Sequence, residues 1–507
     1  MQSKIKSFAE IQAILEKQRA QGRRIVQCHG VFDLLHPGHV RHFKSAKAQG
    51  DVLVVTITPD RFVNKGPGRP AFTETLRLET LAALQDVDYV ILNDAPDAIP
   101  AIHKIRPTYY VKGIEYEDPA TDITGKITEE VATVESLGGA VFYTDDIVFS
   151  SSTLLNQYFD HLPPEVADFL RVLKGRHSLD EILSKIEALS DLKVLVIGDA
   201  ILDEYQYVSP LGQSGKGLHM VARCLDKEVF LGGSLIIANH IAQFVQNVTL
   251  VTTLGAACPH LGFIQQQLDS NVTPCIAYAD GTTTLIKKRY VTKDGRTLSK
   301  LFETYDGFHE TYPNCTQQVV EYIRHHAHKF DLILCADFGN GFSNPAIVEA
   351  ISDTSNFLAL NAQINSGNRG YNVVTNYRRA DYISINEPEL RLSTHDRLSS
   401  IEGLAADISQ IMDASHLSIT RGIAGVFCYS AKDASITIPA LVTSSIDRIG
   451  AGDSFLSLSS LCFAKKYSPL LAGFVGSIAA AMSVQVVGNK EHVIKSSLCK
   501  FITRLMK

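Results

Sequence analysis

The chain has 507 residues, 45% of them hydrophobic and 20% charged, with 34 glycines and no tryptophan. That length is too great for one small domain, and about two to four are expected of an ordinary globular composition. A formal net charge of -6 gives no reason to expect nucleic acid or an acidic membrane surface as partner.

In chain order, Met1 to Arg24 is polar and reads as a charged helix, with no signal peptide visible. A strand, Ile25-Val26-Gln27-Cys28, then enters Cys28-His29-Gly30-Val31-Phe32-Asp33-Leu34-Leu35-His36-Pro37-Gly38-His39 and a helix over Val40 to Ala46. Two imidazoles three positions apart at such a turn suit the holding of a nucleoside triphosphate while its α-phosphorus is attacked. Gly38 lets the backbone approach phosphate, and the helix N-terminus adds N–H donors and a favourable dipole. A phosphate monoester acceptor is already ionised near neutral pH, so little proton transfer is needed. The site must position two anions and stabilise charge on the phosphoryl oxygens, and His36 and His39 are the catalytic candidates.

With the following strand over Val52 to Ile57, this HxGH pattern resembles the cytidylyltransferase-like nucleotidyltransferase family, Gly30, Phe32 and Asp33 preceding the histidines at the family's spacing. The resemblance implies nucleotide or phosphate contacts from Gly30, Phe32, Asp33, Gly38 and Lys44. It also implies Lys65 in the basic loop Lys65-Gly66-Pro67-Gly68-Arg69-Pro70, which reads equally as a solvated turn. Arg77, on an amphipathic helix over Arg77 to Leu84 leading into a strand at Val87 to Ile91, would bind nucleotide phosphates. Lys112, closing the strand Tyr110-Val111-Lys112-Gly113, would lie near the acceptor. Ser151, Ser152 and Thr153, in Phe149 to Leu155, would add hydroxyls at a helix start, where a simple cap is the bland alternative. Mg²⁺ would come with the triphosphate, held mainly by phosphates and water.

Asn156 to Asp191 is helical and polar, with Pro163-Pro164 starting one helix and Gly175 separating another. A new α/β domain begins at the strand Lys193-Val194-Leu195-Val196-Ile197-Gly198-Asp199. Followed by Asp203, this strand resembles the start of the ribokinase-like (PfkB-type) sugar kinase family. Gly232-Gly233-Ser234 ahead of an apolar helix, Asp337-Phe338-Gly339-Asn340-Gly341, Asn386-Glu387-Pro388-Glu389 and Thr420-Arg421-Gly422 continue the resemblance. So does Gly450-Ala451-Gly452-Asp453 before another apolar helix. It implies that Gly450, Ala451 and Gly452 form an anion hole, with Asp453 taking the proton of an attacking sugar hydroxyl. Asp199, Asp203, Gly232, Gly233 and Asp337 would hold the sugar. Asn386, Thr420 and Gly422 would lie toward the nucleotide, and Glu389 would act on Mg²⁺ indirectly. Gly215-Lys216-Gly217 lacks the spacing of a P-loop and is expected to be a substrate loop or lid.

Together the modules resemble the bifunctional heptose kinase and adenylyltransferase family of lipopolysaccharide precursor synthesis, in inverted order. Three departures lie at the sugar end. Ile236 stands where relatives place an asparagine, so a hydroxyl contact is lost or moved to Asn239. Asn340 stands where heptose kinases often have lysine, and Asn361-Ala362-Gln363 replaces an Asp-Pro-Lys type strand end.

The expected fold is α/β: a small Rossmann-like nucleotidyltransferase domain over 1–155, a helical linker over 156–191, and over 192–507 a larger ribokinase-like α/β sandwich with a small β lid. The expected function is a bifunctional sugar kinase and sugar-phosphate nucleotidyltransferase using ATP or CTP, which the phosphate motifs do not separate. A monofunctional nucleotidyltransferase with a ligand-binding or scaffolding kinase-like half is the alternative, and a non-catalytic metabolite sensor the third reading. Partners are a nucleoside triphosphate and a sugar or sugar phosphate, with no nucleic acid or membrane. Ribokinase-like domains often pair through a lid, so a homodimer involving Leu211 to Cys224 is an open expectation. The scattered cysteines, with no CxxC pair or metal-ligand spacing, fit a cytoplasmic protein with reduced thiols. Leu470 to Val487, rich in Ala, Gly and Ser, reads as a buried helix rather than a bilayer span.

Overall fold

The structure is a computed structural model that describes residues 2–63, 70–117, 126–144, 163–294, 297–307, 313–354, 356–368, 370–442 and 445–506. The chain divides into two compact units, Met1–Pro163 with Cys499–Lys507, and Pro164–Leu498.

The first unit is built on five parallel strands, β1 (Ile25–Gly30), β2 (Val52–Ile57), β3 (Tyr89–Leu92), β4 (Tyr109–Gly113) and β5 (Ala140–Thr144), in the order β3-β2-β1-β4-β5. Between them run helices α1 (Phe8–Ala20, ahead of β1), α2 (Pro37–Ala48), α3 (Glu74–Ala82), α4 (Ile99–Ile105) and α5 (Lys126–Ser136). Successive strand residues point to opposite faces, so the apolar runs bury two cores. Val26, Cys28, Leu53 and Val55 pack with Phe43 and Ala46 of α2. Ile25, Val52 and Val54 pack with Ile11 and Leu15 of α1 and with Ala101 and Ile105 of α4. Strand order reverses between β1 and β4, and the crevice beyond the carboxyl ends there is where open sheets bind ligands. The histidine-bearing turn leaves β1 at that point.

The second unit carries a nine-stranded sheet in the order β10-β9-β6-β13-β14-β15-β16-β17-β18. Its parallel part comprises β6 (Val194–Gly198), β9 (Val248–Gly255), β10 (Val272–Ala279), β13 (Leu332–Asp337), β14 (Phe357–Ala362), β15 (Tyr382–Asn386) and β16 (His416–Thr420). β17 (Val426–Ser430) and β18 (Ile436–Ile438) add an antiparallel edge. A second sheet, ordered β12-β11-β7-β8, is the expected β lid. It contains the long hairpin β7 (Ala200–Gln213) and β8 (Met220–Gly233), with β11 (Leu285–Asp294) and β12 (Thr297–Asp306). The large sheet reverses order between β6 and β13, which end at Gly198 and Asp337.

Some boundaries differ from the sequence reading. The helix after the first turn begins at Pro37 rather than Val40, because proline's fixed φ suits a first helical position. Gly175 lies inside the helix Pro164–Arg176 instead of separating two. That helix and its neighbour Leu179–Glu187 fall within the second unit. Pro469–Ser483 is a buried helix, and no helix among the described residues is long and apolar enough to cross a membrane.

Candidate active sites

In the first unit, His36 is the N-cap residue of α2, with extended backbone (φ -141°, ψ 168°), yet its side chain does not cap the helix. Its imidazole is 8% exposed, and neither ring nitrogen has a hydrogen-bond partner among the described residues. His39 follows in the first turn, its ring centroid 3.9 Å from that of His36. Burial pushes the His36 pKa below its ordinary value, so the ring is mainly neutral near pH 7, with one N–H to donate and one lone pair.

Gly30 and Phe32 form the wall behind this pair. Phe32 adopts φ +49°, an uncommon region for a bulky residue, and its ring meets His39 edge-on at 5.4 Å and Phe43 at 5.0 Å. A Cβ on Gly30 would lie 3.0 Å from the Phe32 ring, so glycine is what admits the folded-back ring. A third imidazole, His29, lies between the hydroxyls of Thr56 (2.9 Å) and Thr58 (3.3 Å), and burial lowers its pKa to about 3.

The structure changes the roles expected of the cationic residues. Arg77 is 2% exposed, and its guanidinium donates to the carbonyls of Phe72, Val31 and Thr58 and to Asp60 Oδ1 at 2.7 Å. It binds three chain segments together instead of presenting itself to phosphate. Asp33 Oδ1 accepts the Phe72 N–H, fastening the same region. Lys44 is exposed on α2, five positions beyond His39 and so about 140° around the helix from it. Lys112 is paired with Glu130 at 2.8 Å, and Tyr110 donates to the same carboxylate oxygen. Gly38 is buried in the first turn of α2. Lys65, Ser151, Ser152 and Thr153 lie outside the described residues.

In the second unit, Asp199 leaves β6 and accepts N–H groups from Phe338 (2.8 Å) and Phe342 (3.3 Å). These belong to the turn after β13, where Gly339 and Gly341 have φ +65° and +93°. Asp199 thus holds the turn that carries Asn340. Asp337 accepts the Tyr377 hydroxyl at 3.0 Å and the Gly339 N–H at 2.9 Å. Burial raises the pKa of both carboxyls, and their mutual repulsion adds to the rise at Asp337. Asn340 is 1% exposed, and its Nδ2 has no partner among the described residues.

Asp203 pairs with Arg289 of β11 and accepts Asn489 Nδ2 at 3.2 Å. The double glycine permits close strand contact here: a Cβ on Gly232 would stand 2.6 Å from Asp203 Oδ2, and Gly233 has φ +58° with Asp199 O 2.4 Å from the place of its Cβ. The expectation that Asn239 takes over a sugar contact is corrected by its partners. Its amide donates to Gln267 O at 2.7 Å and accepts the Asp269 N–H at 3.0 Å, making it a bridge between backbone segments. Ile236 is buried in the same helix, Ser234–Ala242.

Gly450 supplies a left-handed start (φ +80°) to the helix Ala451–Ala464, which has no side-chain N-cap. Its first N–H groups therefore offer an anion site. A Cβ on Gly450 would meet Asn489 Oδ1 at 2.1 Å, so glycine lets this turn lie against Asn489, whose amide donates to Asp203. Asp453 stands in the first turn, its pKa pushed up to about 7 by burial and then by Asp203. Asn386 and Glu389 form a capping box, Glu389 Oε2 taking the Asn386 N–H at 2.9 Å and Oε1 the Ile364 N–H at 3.2 Å. Thr420 is the register partner of Asn386, and Gly422 follows in a turn with open space around it. Among the described residues no group of three or more His, Cys, Asp or Glu side chains is arranged to hold a metal.

Sequence reasoning missed Lys287, Arg289 and Asn489. On a strand, alternating charges read as a solvated face, and only the pairing of β11 with β7 reveals that this face is buried. Asn489 offers no local signal.

Residues 28–157 match the family Cytidylyltransferase-like, and residues 371–495 match the pfkB family carbohydrate kinase. The N-terminal part resembles the Bifunctional protein HldE of Geobacter metallireducens, 39% identical over 141 residues (27% of each chain). It also resembles that of Methylobacillus flagellatus, 40% identical over 144 residues (28% of each). The alignments thus span little more than a quarter of these relatives' lengths. Among solved structures, the phosphofructokinase-2 of Escherichia coli in complex with potassium aligns with a TM-score of 0.49 at 15% identity, over 62% of this chain and 100% of that one. The first family match includes His36 and His39. The second includes Asn386, Glu389, Thr420 and Gly450 to Asp453, and Asp199, Asp203, Gly232, Gly233 and Asp337 precede it.

Proposed function

We propose that the chain is a bifunctional enzyme, a sugar-phosphate nucleotidyltransferase in its first unit and a sugar kinase in its second, serving the synthesis of a nucleotide-activated, heptose-like sugar. The observation that supports it most is the close His36–His39 pair, ring centroids 3.9 Å apart, at a helix N-terminus on the reversal point of a parallel sheet, within a stretch matching the Cytidylyltransferase-like family. A phosphate oxygen of the acceptor attacks the α-phosphorus of ATP or CTP, the bond to the β-phosphate oxygen breaks, and pyrophosphate leaves. The His36 and His39 imidazoles donate N–H to the phosphoryl oxygens as charge builds on them, and the N–H groups of α2 assist.

In the kinase reaction Asp453 takes the proton of a sugar hydroxyl, whose oxygen attacks the γ-phosphorus of ATP and releases ADP. The free N–H groups of Gly450 to Asp453 receive the transferring phosphoryl oxygens. The raised Asp453 pKa matches a base that must hold a proton briefly near neutral pH. Mg²⁺ would arrive with the nucleotide and neutralise phosphate charge. Glu389 would influence it at a distance, because both its oxygens already accept backbone N–H groups. Its kinase product would become the nucleotidyltransferase's acceptor after further steps by other enzymes.

A second reading, a nucleotidyltransferase with a kinase-like half that only binds a ligand, is favoured by the buried Ile236 and the occupied Asn239 amide. The two readings separate in one experiment: pyrophosphate and ADP release are followed with four nucleotides against sugars and sugar 1-phosphates, including heptose phosphates. Bifunctionality expects Asp453→Asn to lower ADP release alone and His39→Ala to lower pyrophosphate release alone, each by about a hundredfold or more. An unchanged activity profile in Asp453→Asn supports the second reading, and full turnover in His39→Ala overturns the first-unit site. We also propose a homodimer through the hairpin β7–β8, whose end exposes Leu211, Leu218, Met220 and Leu225. Sedimentation of Met220→Glu tests it, a monomer being the expected result. The free cysteines fit a reducing, cytoplasmic setting.

A further inference from the structure

Lys287 lies on β11 beside Asp203 of β7, its register partner. It is 6% exposed, and the rings of Tyr305 and Phe338 stand 5.3 and 5.9 Å from its ammonium. Among the described residues this ammonium makes no hydrogen bond and no ion pair. A buried cation in that condition is destabilising unless another charge offsets it.

The neighbouring carboxylates differ in how they are satisfied. Asp203 has Arg289 and Asn489, Asp199 has the N–H groups of Phe338 and Phe342, and Glu389 has those of Asn386 and Ile364. Asp453 alone of the four has no side-chain hydrogen bond or ion pair among the described residues. Lys287 and Asp453 are therefore an unpaired cation and an unpaired anion in one charged cluster, separated beyond ion-pair contact.

Resting on the kinase reading above, we propose that Lys287 is a positioning residue for Asp453, the cation that keeps this carboxylate charged and ready without touching it. A direct salt bridge would cover the lone pair that must receive the hydroxyl proton. A cation farther off offsets desolvation and leaves that lone pair open. The charged groups acting on Asp453 are Asp203 from β7 and Glu389 from the helix Glu387–Thr394, which oppose ionisation, and Lys287 and Arg289 from β11, which favour it. Arg289 is already engaged by Asp203, which leaves Lys287 as the unpaired cation of the set. Burial lowers the Lys287 pKa from its ordinary value and Arg289 adds to this, while Asp203, Asp199 and Asp453 oppose the fall and favour the ammonium.

The test needs no substrate. In the full chain labelled with ¹³C at aspartate carboxyl carbons, the Asp453 resonance is assigned by its loss in Asp453→Asn and titrated by NMR. Lys287→Met should raise the Asp453 midpoint by about one pH unit or more. Lys287→Arg should restore it, and Lys288→Met, which removes a half-buried lysine paired with Asp306, should leave it in place. An Asp453 midpoint unmoved in a folded Lys287→Met protein overturns the inference. Any ADP release should show its acid limb moving with the NMR midpoint, and a limb that stays while the plateau falls would also overturn it. Absence of ADP release from the wild-type protein refutes the kinase reading instead, with the titration still deciding the role of Lys287.

Discussion

Both units place a short turn and a helix N-terminus beyond the carboxyl ends of parallel strands, yet they prepare opposite kinds of side chain there. In the first unit burial drives imidazoles toward neutrality, at His36 and more strongly at His29. In the second it drives carboxyls the same way, at Asp453 and Glu389, both raised to about 7. The difference follows the proposed acceptors. A phosphate monoester brings its own negative oxygen and needs donors, whereas an alcohol brings a proton and needs a base.

The sharpest way to break this contrast is Asp453→Asn. ADP release should fall by about 100- to 10,000-fold, and pyrophosphate release should not change. His39→Ala should do the reverse, costing pyrophosphate release on the order of a hundredfold or more and leaving ADP release intact. Arg77→Met should act on stability before chemistry. Its loss leaves the carbonyls it holds and Asp60 Oδ1 without their donor and should destabilise the first unit by about 3 kcal/mol, read as earlier melting, while Lys44→Ala should melt with the wild type.

The pH dependences should also oppose each other. His29 resists protonation in the fold, so its contribution weakens the first unit as pH falls from the ordinary value of 6.5 toward about 3, by up to about 1.4 kcal/mol per pH unit. Glu389 and Asp453 resist ionisation, so their contribution is full at low pH and is lost as pH rises from the ordinary 4.5 and 3.8 through about 7. Amide hydrogen exchange, corrected for intrinsic rates, should show β1 opening more readily at pH 5 than at pH 7, and the turn at Gly450 less readily. Equal trends in both would remove the contrast. The smallest effect expected is from Asn340→Leu. It replaces an unsatisfied buried donor, so the melting temperature should rise by an amount worth about 1 kcal/mol, and the acceptor KM should rise with it.

What could be read in the sequence tracks how local each site is. His36, His39, Gly30 and Phe32 lie within ten residues, and the strand-turn-helix around them follows from an apolar run and a glycine, with the helix starting three residues earlier than read, at Pro37. The parallel sheets were legible for the same reason, as continuous apolar strands. Arg77 shows the limit: its place on a helix was clear, but nothing nearby says that carbonyls from Val31, Thr58 and Phe72 converge on its guanidinium. Lys287, Arg289 and Asn489 were illegible because their meaning depends on which strand lies beside β11 and where the turn after Val487 comes to rest. Asn239 was misread because its partners, Gln267 and Asp269, follow an intervening strand.

The grip of Asp199 on the turn at Phe338 spans 139 residues of chain. Contacts this remote form only after a large loop has closed, and topologies dominated by them fold slowly. In the first unit the reaches of β1 are shorter, 29 residues from Gln27 to Thr56 in β2 and 83 from Ile25 to Thr108 ahead of β4. On dilution from denaturant, then, the two catalytic powers should return in sequence, pyrophosphate release first. ADP release should lag until β6 has received β13, a wait that a chain emerging from the ribosome would share.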